Sequence, residues 1–159
     1  MSKKIDWEGF KSEILGVRFE EGKDFVASRS KDYYWYSPIL DEIFKDKVGD
    51  LVVIPSNQEQ VKKVAAAIAK YKIPLTLRGG GTGNYGQCVP LEGGVIMIMT
   101  KLNRIVEFKE KSVLTESGVR ISRLDDAARD IGLELLMYPS TRLTATIGGF
   151  LAGGSGGCG

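Results

Sequence analysis

The sequence predicts an α+β fold, a βαβ unit followed by a mixed sheet with flanking helices, on three observations. Residues 50–78 read as strand, helix and strand. Residues 105–132 read as two alternating strands and a helix. Glycine is gathered into two clusters, and seven of the twenty glycines fall in the last twelve positions of the chain.

Each element has a local reason. "DLVVIP" (50–55) is a β-branched apolar run stopped by proline, the pattern of a buried strand. "SNQEQVKKVAAAIAKYK" (56–72) offers Ser56 or Asn57 as N-cap, Glu59 in the first turn, and Val61, Val64, Ala65, Ile68 and Tyr71 at helical spacing. "IPLTLR" (73–78) is a second strand, and the crossover between the two is expected to be right-handed and to pair them in parallel. "GGVIMIMT" (93–100) is a third apolar strand. Residues 105–119 alternate as two strands with a turn near Glu110 to Ser112, and 122–132 form a helix from a Ser122 cap to a Gly132 stop. Upstream, residues 6–16 predict a short amphipathic helix with Trp7, Phe10, Ile14 and Leu15 on one face. "SKDYYWYSPIL" (30–40) is aromatic-dense and irregular, and reads as a packed surface cover.

Composition narrows the function. The 159 residues amount to one domain or part of a larger one, 43% hydrophobic and 26% charged, enough to bury a core. A net charge of +2 is too small to argue for nucleic acid or an anionic membrane surface, and residues 1–30 contain neither a signal peptide nor a membrane span. Two cysteines, Cys88 and Cys158, make no disulfide framework, so a reducing, cytoplasmic setting is expected. There is no histidine, which removes Ser-His-Asp and Cys-His catalysis and most zinc sites. Chemistry must come from a bound cofactor, from carboxylates, or from residues outside this chain.

The glycine loop "PLTLRGGGTGNYGQCVP" (74–90) places Gly79, Gly80, Gly81, Gly83 and Gly86 within eight residues. Its Gly81-x-Gly83-x-x-Gly86 spacing imitates a dinucleotide fingerprint. That motif, however, follows the first strand of its unit and opens a helix, whereas here a proline and a Gly-Gly precede another strand. No Gly-Lys-Ser or Gly-Lys-Thr occurs, so a Walker loop is excluded as well. Two readings stay open. One is a backbone nest for phosphate, with Arg78 as fixed charge beside it. The other is a structural turn, although a turn needs only one or two glycines. The second cluster, "PSTRLTATIGGFLAGGSGG" (139–157), tips the balance toward a long polyphosphate ligand. It interleaves Ser140, Thr141, Thr144, Thr146 and Ser155 with Gly148, Gly149, Gly153, Gly154, Gly156 and Gly157.

Taken in order, "DLVVIPSNQEQVKKV", "IPLTLRGGGTGNYGQ", "GGVIMIMTKLNRIVEF" and "ESGVRISRLDDAARDIGLELLMYPSTRLTATIGGFLAGGSGG" resemble the FAD-binding domain of the vanillyl-alcohol oxidase and p-cresol methylhydroxylase flavoproteins. The glycolate oxidase and D-lactate dehydrogenase-like branch is the most similar. The likeness spans residues 50–157, with residues 1–49 as an N-terminal extension, and implies the p-cresol methylhydroxylase-type FAD domain, incomplete at its C-terminal end. It implies that the backbone of Arg78, Gly79, Gly80, Gly81, Thr82, Gly83 and Asn84 wraps the FAD pyrophosphate, so that a side chain at Gly81 would occupy the pyrophosphate path. Gln87 falls near the ribityl chain. Pro139, Ser140, Thr141, Thr144, Thr146, Ile147, Gly148 and Gly149 hold flavin and ribityl, and Gly153, Ser155 and Gly156 continue along the cofactor. Glu116 to Gly118 resembles a strand end near the adenosine.

Many members of that family attach the flavin through a histidine at the position of Thr82. Its absence implies non-covalent FAD. Cys158 does not match the family's cysteine link and reads as a buried small hydrophobe, as does Cys88. The family's FAD domain continues past the second loop and is followed by a substrate domain. The chain therefore reads as an N-terminal piece of a flavoenzyme, with no catalytic acid or base of its own. The implied activity is oxidation of an alcohol or 2-hydroxy acid by hydride transfer to flavin N5, with a homo-oligomer or partner subunit allowed. The alternative is a non-catalytic nucleotide-binding or assembly fragment that is completed by another chain.

Overall fold

The structure is a computed structural model that describes residues 5–33 and 35–158. Tyr34 of the aromatic segment and the terminal Gly159 lie outside the described residues. The elements in order are α1 (Trp7–Glu13), β1 (Arg18–Glu20), α2 (Lys23–Arg29), α3 (Pro38–Phe44), β2 (Leu51–Ile54), α4 (Gln58–Tyr71), β3 (Leu75–Arg78), β4 (Val95–Ile98), β5 (Ile105–Phe108), β6 (Val113–Thr115), α5 (Ile121–Arg129) and α6 (Ile147–Ala152).

Four strands form a mixed sheet in the order β1-β2-β4-β3, and β5 and β6 form a separate antiparallel pair. The expected direct pairing of the two strands of the βαβ unit is not what forms. β4 lies between β2 and β3 and runs parallel to both, with Val52 opposite Ile96 and Thr76 opposite Ile96 on the other side. The physical reason lies in burial. All four residues of β4 are buried, so its "VIMI" run takes the central position, and β3, with Leu75 and Leu77 exposed, takes the edge.

The period of two sorts the sheet residues into two cores. Leu51, Val53, Val95 and Met97 pack with Phe10 and Ile14 of α1 and with Val64, Ala67 and Ile68 of α4. Val52, Ile96 and Ile98 face the other way, against Val26 of α2. Burying a side chain such as Ile14 or Val64 completely contributes about 1.5–3 kcal/mol. The N-terminal segment is thus built into the same core, because β1 pairs antiparallel with β2 and α1 lies on α4.

Helix α4 is capped reciprocally. The Asn57 side chain accepts from the Gln60 N–H at 2.9 Å, while Gln60 Oε1 accepts from the N–H and hydroxyl of Ser56. Its core face is Val64, Ala67 and Ile68, and the expected Ala65 is exposed. On α1, Phe10 and Ile14 are buried and Trp7 is half-buried, but Leu15 is 71% exposed, because it falls in the turn after the helix ends. α5 begins at Ile121 with Arg120 as its cap, not Ser122, whose N–H instead donates to Arg142 O. Gly132, at φ +75°, turns the chain after α5 as expected.

Candidate cofactor site

β3 delivers the first glycine loop at its C-terminal end. Arg78, the last residue of the strand, is buried, and its guanidinium Nη1 donates to Arg29 O at 3.0 Å, Lys31 O at 2.6 Å and Cys88 Sγ at 3.0 Å. Its charge therefore sits under the loop without lining the cleft, and it makes no ion pair among the described residues. Gly81 stands at φ +65°, and a Cβ there would be driven into the Arg78 guanidinium. The glycine is required here by its backbone conformation and by the arginine beneath it. Among the described residues, nothing accepts from the consecutive N–H groups of Gly79, Gly80, Gly81, Thr82, Gly83 and Asn84. Such a run leaves backbone donors available to an anion.

The second glycine cluster packs against the first. Thr146 caps α6, its Oγ1 accepting from Gly149 N at 3.3 Å, and a Cβ on Gly79 would collide with that same hydroxyl oxygen. A Cβ on Gly80 would meet the Thr144 carbonyl. Ile147 N–H donates to Val119 O and Gly148 N–H to Ser117 O, both at 2.9 Å, and a Cβ on Gly148 would lie 2.6 Å from Ser117 Cβ. Several glycines let the two loops approach each other, and that approach leaves a cleft between them.

The cleft has a volume of about 1000 Å³. Gly79, Gly80, Gly81, Thr82, Gly83, Asn84 and Gln87 line one wall; Pro139, Ser140, Thr141, Thr146, Gly148, Gly149, Gly153 and Ser155 line the other. Arg78, Thr144, Ile147 and Gly156 do not reach it with their side of the chain. Thr144 lends its carbonyl to the loop contact, and Ile147 is held against Val119.

Sequence reasoning missed several residues. Leu75, Leu77 and Met99 add an apolar wall, and Ser117, inside the segment matched to the adenosine end, joins the floor. Leu75 and Leu77 were legible only as strand residues, since their exposure follows from β3 being an edge. Asp32 is buried and bonds to the loop from a segment read as irregular. Cys88 is buried as expected but is not apolar in its contacts: its thiol donates to Asp32 Oδ1 and lies against Arg78, and burial pushes it up to about 12. Cys158 is exposed, not buried, because it lies in an open tail whose backbone pairs with Tyr138.

The site thus combines two glycine walls, a run of free amides and a buried arginine behind them. The chain belongs to the FAD binding domain family, whose model matches residues 49–159. It is 33% identical over 141 residues to D-lactate dehydrogenase of Archaeoglobus fulgidus, covering 88% of this chain and 28% of that one. It is 32% identical over 109 residues to the glycolate oxidase subunit GlcD of Escherichia coli strain K12, covering 67% and 22%. Among solved structures it resembles p-cresol methylhydroxylase with substrate bound, with a TM-score of 0.71 at 20% identity, covering 91% of this chain and 28% of that one. The chain thus has the p-cresol methylhydroxylase-type fold and spans about a quarter of the length of these relatives.

The site fits FAD on its own geometry. The free amides of Gly79 to Asn84 offer donors to a pyrophosphate, the hydroxyls of Thr82, Ser140, Thr141 and Ser155 line the rest, and Leu75, Leu77 and Met99 offer an apolar surface. Among the described residues no cluster of acidic or cysteine side chains is placed to hold a metal, and no helix is long and apolar enough to cross a membrane.

Proposed function

We propose that this chain is the FAD-holding part of a flavin-dependent oxidoreductase acting on an alcohol or a 2-hydroxy acid. The observation that carries the reading is that the residues of the run Gly79 to Asn84, whose six amides have no partner among the described residues, line the same cleft as the second glycine cluster. What the cofactor supplies when bound is acceptance of a hydride at flavin N5. The chain's own residues bind and orient. Gly79 to Asn84 take the pyrophosphate, Arg78 adds positive potential from beneath without contact, and Gln87, Thr146 and Gly149 flank the remainder of the cleft. The 2-hydroxy-acid class is supported by the names of the lactate and glycolate relatives.

Non-covalent attachment is part of the proposal. The sequence has no histidine, and the cleft position that would carry one is Thr82. Residues 50–159 are assigned to the FAD domain, with the first 49 residues as an extension packed into it. Substrate contacts are assigned to polypeptide outside this chain, since the relatives are about three times as long. A reducing, cytoplasmic setting is in keeping with two free cysteines.

The test is an absorbance titration of the full chain with FAD followed by acid precipitation. Perturbed flavin bands that pass into the acid supernatant are expected. Absence of any spectral change with FAD sinks the reading, and colour that stays in the pellet sinks its non-covalent part.

A further inference from the structure

Residues 29–33 run beneath the first glycine loop as a strap. Arg29 O and Lys31 O accept from Arg78 Nη1, and the Tyr33 N–H donates to Gly81 O at 2.7 Å. Between them, the Asp32 side chain enters the loop itself. Its Oδ2 accepts from Gly86 N–H at 2.7 Å, and its Oδ1 accepts from Cys88 N–H at 3.3 Å and from the Cys88 thiol. A Cβ on Gly83 would stand 3.1 Å from the same Oδ2. Asp32 is only 7% exposed and makes no ion pair among the described residues, so the donors that satisfy its carboxylate come from the loop.

The strap is itself anchored. The Asp32 N–H donates to Tyr36 Oη at 2.8 Å, and the Tyr36 ring packs edge-on against Phe44, which lies under Gly86. Hydrogen bonds to a carboxylate are about twice as strong as neutral ones. They fix the Gly86 and Cys88 amides inward at the far end of the loop, just beyond Tyr85, whose N–H donates to Gln87 Oε1 at 3.1 Å and closes the run of free amides from Gly79 to Asn84.

We propose that Asp32 is a positioning residue for the cofactor: it shapes the phosphate-binding nest by holding the far end of the loop, without touching the ligand. This rests on the reading that the loop holds FAD. Asp32 lies outside the matched family region, which begins at residue 49.

The experiment compares the full chain with Asp32→Asn and with Asp50→Asn. Asp50 Oδ2 accepts from Gly94 N–H, also at 2.7 Å, but at the start of β4 and away from the cleft. It is therefore a matched carboxylate-to-amide bond with no link to the loop. Two quantities are read: FAD affinity from flavin fluorescence, and hydrogen exchange of peptides covering 79–88 and 51–54. Asp32→Asn should weaken FAD binding by about tenfold and speed exchange in 79–88 while 51–54 stay protected. Asp50→Asn should leave FAD affinity near that of the parent. Equal affinity for parent and Asp32→Asn overturns the proposal. So does an equal loss in Asp50→Asn, or loss of protection in 51–54 along with 79–88, since each would make the effect one of global stability. A parent chain that binds no FAD instead defeats the reading of the site. The exchange arm still decides whether Asp32 holds the loop.

Discussion

The Thr144 carbonyl oxygen occupies the position into which a Cβ on Gly80 would project, so the two glycine loops meet backbone to backbone. A carbonyl in a packed turn cannot swing aside as the end of a flexible side chain does. Gly80→Ala must push the loops apart, and overpacking of this kind costs about 1–3 kcal/mol. We expect FAD affinity to fall about tenfold or more and the melting temperature to drop by several degrees. Gly22→Ala is the control, since a Cβ there meets only Phe25 Cβ at 4.0 Å and φ is −59°. Fluorescence titration and thermal melts of both variants check this. Unchanged FAD binding in Gly80→Ala would show that the two walls do not act as a unit.

Arg78 gives a prediction about stability more than contact. Three acceptors, Arg29 O, Lys31 O and Cys88 Sγ, depend on its guanidinium. Arg78→Ala leaves two backbone carbonyls without that donor and should destabilise the chain by about 2–4 kcal/mol. Arg78→Lys should recover only part of this, because one ammonium cannot reproduce the planar fork. Denaturant melts measure the loss. A lysine variant as stable as the parent would mean that charge alone, and not the hydrogen bonds to the strap, matters at this position.

Much of the site was legible because glycine is an unusual choice at each place it occurs. Gly79, Gly80, Gly81 and Gly83 on one side, and Gly148 and Gly149 on the other, line one cleft, so residues singled out by their type come together. The strands and helices of 50–78 and the hairpin 105–115 were legible for the usual reason, periodicity. What stayed hidden was whatever depended on pairing between distant segments. The insertion of β4 between β2 and β3 follows from the total burial of Val95 to Ile98, which an apolar run alone does not distinguish from an edge strand. β1, α2 and α3 are elements of three or seven residues, too short to show a period. Asp32 could not be singled out, because its burial comes from a loop more than fifty residues away in the chain. Nor could the sequence tell that the Arg78 side chain folds back under Gly81.

The two cysteines should separate chemically. Burial raises the Cys88 pKa to about 12, with the Arg78 charge opposing and Asp32 reinforcing the shift. The neutral thiol is the form favoured by folding. That contribution is complete below the ordinary thiol value and is lost as the pH rises toward the native one. Cys158 is exposed. At a mildly alkaline pH, iodoacetamide should label Cys158 in the folded chain and reach Cys88 only after unfolding. Mass spectrometry of the labelled peptides reads this directly. Labelling of Cys88 at a comparable rate in the folded chain would mean that the loop over Arg78 opens readily.

Asp125 carries the clearest dependence on acid. Its side chain is fully buried on α5, and it accepts from Arg129 Nε at 3.0 Å, Arg142 Nη1 at 3.4 Å and Leu135 N–H at 3.4 Å. Burial alone would raise its pKa, but the hydrogen bond from Arg129, then that from Leu135, and the two nearby guanidinium charges outweigh it and lower the value below 3.8. A depressed carboxylate stabilises the fold in its charged form. The contribution is therefore present above the unfolded value and is lost as pH falls through the native one. Arg142 stands directly before Leu143 and Thr144, so this ion pair also ties α5 to the second cofactor wall. Because both arginines are about half exposed, the pair is screened, and Asp125→Asn should cost about 1–2 kcal/mol at neutral pH. The gap between parent and variant should narrow as the pH falls below the unfolded carboxylate value and through the lower native one. Melting temperatures across that range test it. A gap that stays constant would show that Asp125 acts through packing and not through its charge.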